Sequence, residues 1–173
     1  MSQMSYIVVV DVGIKNLGLL VYDSNSKRVC LWERVDITEG TKYVPSNNVH
    51  YIHSLIDKHA QYFASAHLVI VERQMRVNMR IIEAIFQSRF ADKCKVINAQ
   101  SVKMHFSISM RNYKQNKKKA VEWLDCHWNT VLSKFVSNQS EILPLWVAES
   151  KKDDLADSMI MMLYYLNTYS EIV

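Results

Sequence analysis

Residues 6–22 read YIVVVDVGIKNLGLLVY. Tyr6 to Val10 is a continuous apolar, β-branched run, the pattern of a strand buried on both faces. A carboxylate, Asp11, ends it. Gly13 and Gly18 flank a turn and are expected to permit a tight hairpin, after which Leu19 to Tyr22 reads as a second strand. Asp23-Ser24-Asn25-Ser26 is a turn cluster, and Arg28 to Val35 alternates loosely as a third strand. The chain thus opens with a meander whose first strand is a core strand tipped with an acid.

Outward from there the pattern changes. Residues 36–48 form a polar loop. Val49, Ile52, Leu55, Ile56, Ala60 and Phe63 follow helical spacing, so a helix is predicted over 49–64. His67 to Val71 is a fourth short strand, with Glu72 directly after it. Ile81, Ile82, Ile85, Phe86 and Phe90 mark a second helix behind a basic loop, and Lys95 to Asn98 a brief fifth strand. Ala120, Val121, Leu124, Val131, Leu132 and Phe135 predict a long third helix; Leu155, Met159, Met162, Leu163 and Leu166 predict a terminal one. An early meander followed by crossovers gives an α/β fold, a five-stranded mixed sheet flanked by helices. The 173 residues suit a single domain over 1–173.

Composition narrows the setting. Apolar residues are 49% of the chain, enough for a core, which excludes a disordered chain. The net charge of +4 is compatible with a polyanionic partner without demanding one. Cys30, Cys94 and Cys126 are scattered without metal-type spacing, which favours reduced thiols in a reducing, intracellular compartment. The start, MSQMSYIVVVD, lacks a basic n-region and does not read as a signal peptide. No window approaches the ~18 apolar residues of a membrane span. The expected setting is the cytoplasm or a viral replication site rather than the mitochondrion.

Four acids carry the chemical argument. Asp11 and Glu72 each follow a buried strand, and Asp154 and Asp157 open the terminal helix at an i,i+3 spacing that shares one flank. A carboxylate at a buried strand end is costly to desolvate unless it is paired or holds a cation, and open α/β sheets place their ligands at strand ends. Taken singly, each acid has a plainer role: a strand-end acid as a cap, a first-turn acid as a complement to the helix dipole. Ser150 with Asp153 resembles a capping box, so Asp153 is assigned to capping. Together, the four supply hard oxygen donors suited to Mg²⁺ or Mn²⁺, and two ions roughly 4 Å apart would serve phosphodiester cleavage.

Asp11 within VVVDVGIKNLGLLVY, Glu72 within LVIVERQM, and KKDDLADS near the C-terminus resemble the RuvC-like Holliday-junction resolvases, nearest to the branch of large DNA viruses and fungal mitochondria. Order and spacing agree over nearly the whole chain. The resemblance implies a ribonuclease H-like fold, an acid ending strand one, a Glu ending strand four, and a D-x-x-D pair on the last helix, matched here by Asp154 and Asp157. It further implies a Mg²⁺-dependent homodimer that cuts four-way DNA junctions, with no small-molecule cofactor and no membrane.

Basic residues cluster in two places. Arg111 to Lys119 holds five cations in nine residues, including Lys114, Lys117 and Lys119, where phosphate contacts would give salt-dependent affinity. The resemblance implies a catalytic Lys in this region that stabilises transition-state charge; Lys118 is the choice by position, with Lys117 and Lys114 as alternatives. Arg73, Arg76 and Arg80 follow Glu72 and could clamp phosphates. The resemblance also implies a junction-opening wedge three residues after the Glu, the position of Met75; its plainer role is core or dimer filler.

Other signals carry less. His50, His53 and Asp57 share a helix face but read as solvent-facing; Cys126-His127 lacks partner ligands. Trp123 and Trp128 suit packing better than base stacking, and Lys15 and Asn16 either touch phosphate or complete the first turn. An ordinary ribonuclease H would carry its Glu on the first long helix, and 49–64 has none. A sugar-kinase or actin-like half needs further Gly-rich loops, and one glycine follows residue 18. A non-cleaving branched-DNA-binding module remains the non-enzyme alternative, with all four acids arguing against it.

Overall fold

A computed structural model describes residues 5–109 and 112–169, the side chains of Tyr113 and Lys114 excepted. The strands are β1 (Tyr6–Asp11), β2 (Leu17–Asp23), β3 (Arg28–Val35), β4 (Ala66–Glu72) and β5 (Cys94–Ile97). They form one sheet in the order β3-β2-β1-β4-β5. The meander β1-β2-β3 is antiparallel, while β1-β4 and β4-β5 are parallel. This is the mixed five-stranded sheet expected. β2 is longer than predicted because its pairing runs on until Gly18 lies opposite Asp11.

Helices cover both faces. On one side lie α1 (Asn48–Lys58), α2 (Ala60–Ser65) and α3 (Val77–Arg89); on the other, α4 (Ala99–His105), α5 (Tyr113–His127), α7 (Gln139–Ala148) and α8 (Lys152–Tyr169). The predicted first helix is two, broken at His59. The predicted third helix begins seven residues earlier than its apolar stripe, at Tyr113 rather than Ala120, so Lys114, Lys117, Lys118 and Lys119 lie within its first turns, while Arg111 lies outside the described residues. It runs on through a π-spaced turn, Trp128–Leu132, into α6 (Ser133–Phe135). That turn keeps Trp128 and Leu132 inside, and Trp128 joins Trp32 and Trp146 in a buried aromatic group. Trp128 is therefore packing. Trp123 is half-buried against Phe106 and His127.

Strand parity decides which way each acid points. Ile7, Val9, Leu20 and Ile70 face the α8 side, whereas Tyr6, Val8, Val10, Val69 and Val71 face α1–α3. Side chains alternate with period two, so Asp11, in step with Ile7 and Val9, points toward α8. Glu72, in step with Ile70, does the same. The parallel register Val9↔Ile70, Val10↔Val71 sets the two acids side by side. Leu155, Met159, Met162 and Leu163 bury the stripe of α8 on this face, and the Trp32 indole on β3 donates to the Leu155 carbonyl (3.1 Å) and the Ser158 hydroxyl (3.2 Å).

Gly18 is what lets α8 come this close. A Cβ there would stand 2.5 Å from the Asp154 carbonyl oxygen and 3.3 Å from the Asp11 Cβ. The requirement is steric closeness to a helix backbone, which corrects its reading as a hairpin residue. Gly18→Ala should therefore push the start of α8 off the sheet at a cost of about 1–3 kcal/mol. Chemical denaturation should record that loss, with any nuclease activity falling further than stability does.

Candidate active site

The four acids meet. Asp11, Glu72, Asp154 and Asp157 line one open cleft of about 580 Å³ at the carboxyl ends of β1 and β4. Its floor narrows among Asp11, Glu72 and Asp157 to a space of about 10 Å³, room for one water-sized body. Asp11 and Asp154 are buried, and Glu72 and Asp157 half-buried. Burial, followed by the fields of Glu72, Asp157 and Asp154 and a shared hydrogen bond with Glu72, holds the Asp11 carboxyl well above the usual carboxylate range. Burial likewise pushes Asp157 up to about 6, against the opposing pull of Lys103.

Three ammonium groups stand among these acids. Lys117 on α5 donates to Asp153 and, at 3.2 Å, to Asp154. Lys151 lies 3.0 Å from Asp154 Oδ2, and Lys103 on α4 lies 3.6 Å from Asp157. The Lys151 contact is an ion pair, and among the described residues the buried Asp154 Oδ2 accepts no hydrogen bond. Asp153 forms no capping box with Ser150, although it lies in the first turn of α8 and its carboxylate accepts from its own backbone N–H. Ser150 donates to Glu149 instead, and although burial works the other way, the Lys117 contact holds the Asp153 carboxyl below its ordinary range.

The donor set fits a hard divalent cation. It offers oxygen ligands only, one buried oxygen accepts no hydrogen bond, and like charges crowd around the buried Asp11. The shell is not closed in advance, for among the described residues no three acids, histidines or cysteines form a ready metal-binding group. Lysines at 3.0–3.6 Å share those oxygens.

The basic residues divide. Lys117 is 22% exposed and lines the cleft. Lys118 is 79% exposed and pairs with Glu122 one turn on (3.5 Å), and Lys119 meets the same Glu122 (3.2 Å). One residue along a helix rotates a side chain by about 100°, and this separates them. The Lys114 side chain lies outside the described residues. Arg73, Met75 and Arg76 line the cleft mouth, whereas Arg80 is exposed beyond it. Met75 is 88% exposed, so it is not core. Lys15 completes the turn, reaching Asp36, Thr38 and the Thr41 carbonyl, and Asn16 accepts from Arg34 (3.0 Å). His50, His53 and Asp57 are exposed.

Sequence reasoning missed Lys103, Lys151 and Gln74, all in the cleft. Lys151 sits at i−3 to Asp154 and was available from spacing. Lys103 rides on a seven-residue helix too short for its period to show. Gln74 donates to the Glu72 carboxylate, a contact with no sequence signature.

The sheet order, the helices on both faces and the acid-lined strand ends define a ribonuclease H-like fold. Three solved structures share it. The yeast mitochondrial Holliday junction resolvase Ydc2 superposes with a TM-score of 0.70 at 18% identity, over 98% of this chain and 87% of that one. Fowlpox virus resolvase, in complex with substrate Holliday junction DNA, gives 0.64 at 22%, over 97% and 99%. T. thermophilus RuvC in complex with a Holliday junction substrate gives 0.54 at 13%, over 96% and 97%. The chain belongs to the family described as Poxvirus A22 protein, whose profile matches residues 5–168. A comparison with curated proteins gave no match.

The raised carboxyls set a pH dependence. A carboxyl whose folded value exceeds its unfolded one binds more protons when folded, so stability falls as pH rises through the interval between them. For Asp157 that interval runs from 3.8 to about 6. In the metal-free protein Asp157 should draw melting temperature down between pH 4 and 7, against the opposing rise from His59 and His67, whose imidazoles burial holds below their ordinary value, and Asp157→Asn should remove the downward contribution. Added Mg²⁺ should restore the loss, more so at pH 7 than at pH 5. Thermal melts across this range, with and without Mg²⁺, measure it.

Proposed function

We propose that the protein is a structure-selective endonuclease that resolves four-way DNA junctions by metal-dependent phosphodiester hydrolysis. The observation that carries the reading is the meeting of Asp11, Glu72, Asp154 and Asp157 in one cleft, in a member of this family with the resolvase fold. The family profile and the DNA-bound relatives support branched DNA as the partner.

In this reading the four carboxylates hold Mg²⁺, with Mn²⁺ as a substitute and donors enough for a pair of ions. Bound there, the metal supplies charge neutralisation at the scissile phosphate and a water of lowered pKa. The remaining work belongs to the chain. Lys117 takes the role the resemblance implies for a lysine, since its ammonium stands among the acids where negative charge develops on the phosphate. Lys118 and Lys119, on the outer face of α5, contribute diffuse attraction to the DNA backbone. Arg73 and Arg76 flank the mouth as phosphate clamps, Arg80 extends that line, and Met75 serves as the apolar wedge.

Two copies are needed to cut two opposed strands of one junction, because a twofold substrate calls for a twofold protein. Val77 and Ile81 on α3 are exposed, as is Val49 beside them on α1, whereas the outer face of α5 carries Lys118, Lys119 and Glu122. The dimer face in this reading is therefore α3. Ile81→Glu should shift the protein toward monomer in sedimentation velocity runs.

Cleavage of a labelled four-way junction, with duplex DNA and an RNA–DNA hybrid as controls, tests the function. Asp11→Asn and Glu72→Gln should abolish product while leaving junction binding near wild type. Lys117→Ala should lower the cleavage rate by about 10²-fold or more, and Lys118→Ala should stay within a few-fold. Equal losses at Lys117 and Lys118 would remove the assignment, and turnover in Asp11→Asn would remove the metal site.

A further inference from the structure

Glu83 is a buried acid that the cleft does not use. It sits on α3 between Ile82 and Phe86, 7% exposed, on the side of the sheet away from the four carboxylates. A carboxylate in such a place is expensive unless both oxygens are satisfied. Here one short segment meets both, one by a hydrogen bond and the other by an ion pair. The Gln74 backbone N–H donates to Glu83 Oε2 (2.7 Å), and Arg73 Nε stands 3.4 Å from Glu83 Oε1. The same segment is tied on its other side, where the Arg73 N–H donates to the Ile97 carbonyl of β5 (2.8 Å).

What this segment carries gives Glu83 its meaning. Residues 73–76 join β4 to α3. The Gln74 side chain donates to the Glu72 carboxylate, and the next residue is the exposed Met75 at the cleft mouth. One buried acid thus fixes the backbone from which a hydrogen bond reaches a cleft carboxylate and an apolar side chain reaches outward. A loop four residues long, pinned at residues 73 and 74, has little freedom to move one without the other.

We infer that Glu83 is a positioning residue that couples the orientation of the Glu72 carboxylate to the presentation of Met75, so that the apolar probe and the reacting acid are set by a single contact. The inference rests on the roles proposed above for Glu72 and Met75. Supporting groups of this kind are worth about ten- to a hundredfold in activity, and they act on the rate of the bound complex rather than on the phosphate contacts that provide affinity.

The test has two arms. Hydrogen exchange at the Gln74 and Met75 amides reads the loop directly, without DNA or metal. Glu83→Ala should speed exchange there by tenfold or more, whereas Glu83→Gln, which keeps an acceptor oxygen, should stay near wild type. In the second arm, Glu83→Ala should lower kcat on a four-way junction by about tenfold or more with junction Kd within threefold, and Glu83→Gln should recover most of it. A 2-aminopurine beside the crossover, followed in an Asp11→Asn background, should brighten less on binding when Glu83 is Ala. Should Glu83→Ala fail to fold, Gln74→Ala removes the link to Glu72 alone and should lower kcat with the 2-aminopurine signal intact. Unchanged exchange in a folded Glu83→Ala, or wild-type kcat in both Glu83→Ala and Gln74→Ala, overturns the inference. Absence of cleavage by the wild-type protein would instead count against the nuclease reading, with the exchange arm still deciding whether Glu83 holds the loop.

Discussion

Four carboxylates crowded at the ends of two parallel strands are the constraint around which the rest is organised. Burial first, and then repulsion from its neighbours, holds the Asp11 proton well above the usual range. A protein maintains such a cluster against its electrostatic cost only through rigid packing. That packing is the parity of β1 and β4, the stripe of α8 pressed on the sheet, and the bare backbone at Gly18 that admits the helix.

Lysines are the second half of the same balance. Lys103 from α4, Lys117 from α5 and Lys151 from the segment before α8 end among the acids. They lower the repulsion without abolishing it, which leaves a cleft able to accept both a cation and a phosphate. Lys117 and Lys118 are neighbours in sequence and opposite in consequence. One reaches inward to Asp153 and Asp154; the other pairs with Glu122 in solvent, where an exposed ion pair contributes little.

The loop after β4 shows how a fold extends a site. Glu72 ends a core strand, and the next four residues turn outward into the helix α3. Arg73 and Gln74 are held by β5 and by Glu83, so Met75 is presented from a fixed base although its side chain is almost wholly exposed. Polar anchoring beneath and an apolar tip above is an arrangement that packing alone would not select.

The sheet was legible in the chain because continuous apolar, β-branched runs have few alternatives to a buried strand, and β3 was found with its limits unchanged. The acids at the ends of β1 and β4 and at the start of α8 were legible for the same reason: each interrupts a pattern that burial had imposed. Two helices escaped. α4 is short, and α7 carries Pro144 inside and exposes Leu143, Leu145 and Val147, so no polar face marks it. Residue order could not separate Lys117 from Lys118, because the helix begins before its apolar stripe and a single residue of phase rotates the side chain away. Nor could it give Gly18 its reason, or bring Lys103, Gln74 and Glu83 into the picture. Local sequence sets period and burial, whereas closeness between residues far apart along the chain exists only once helix and sheet have packed.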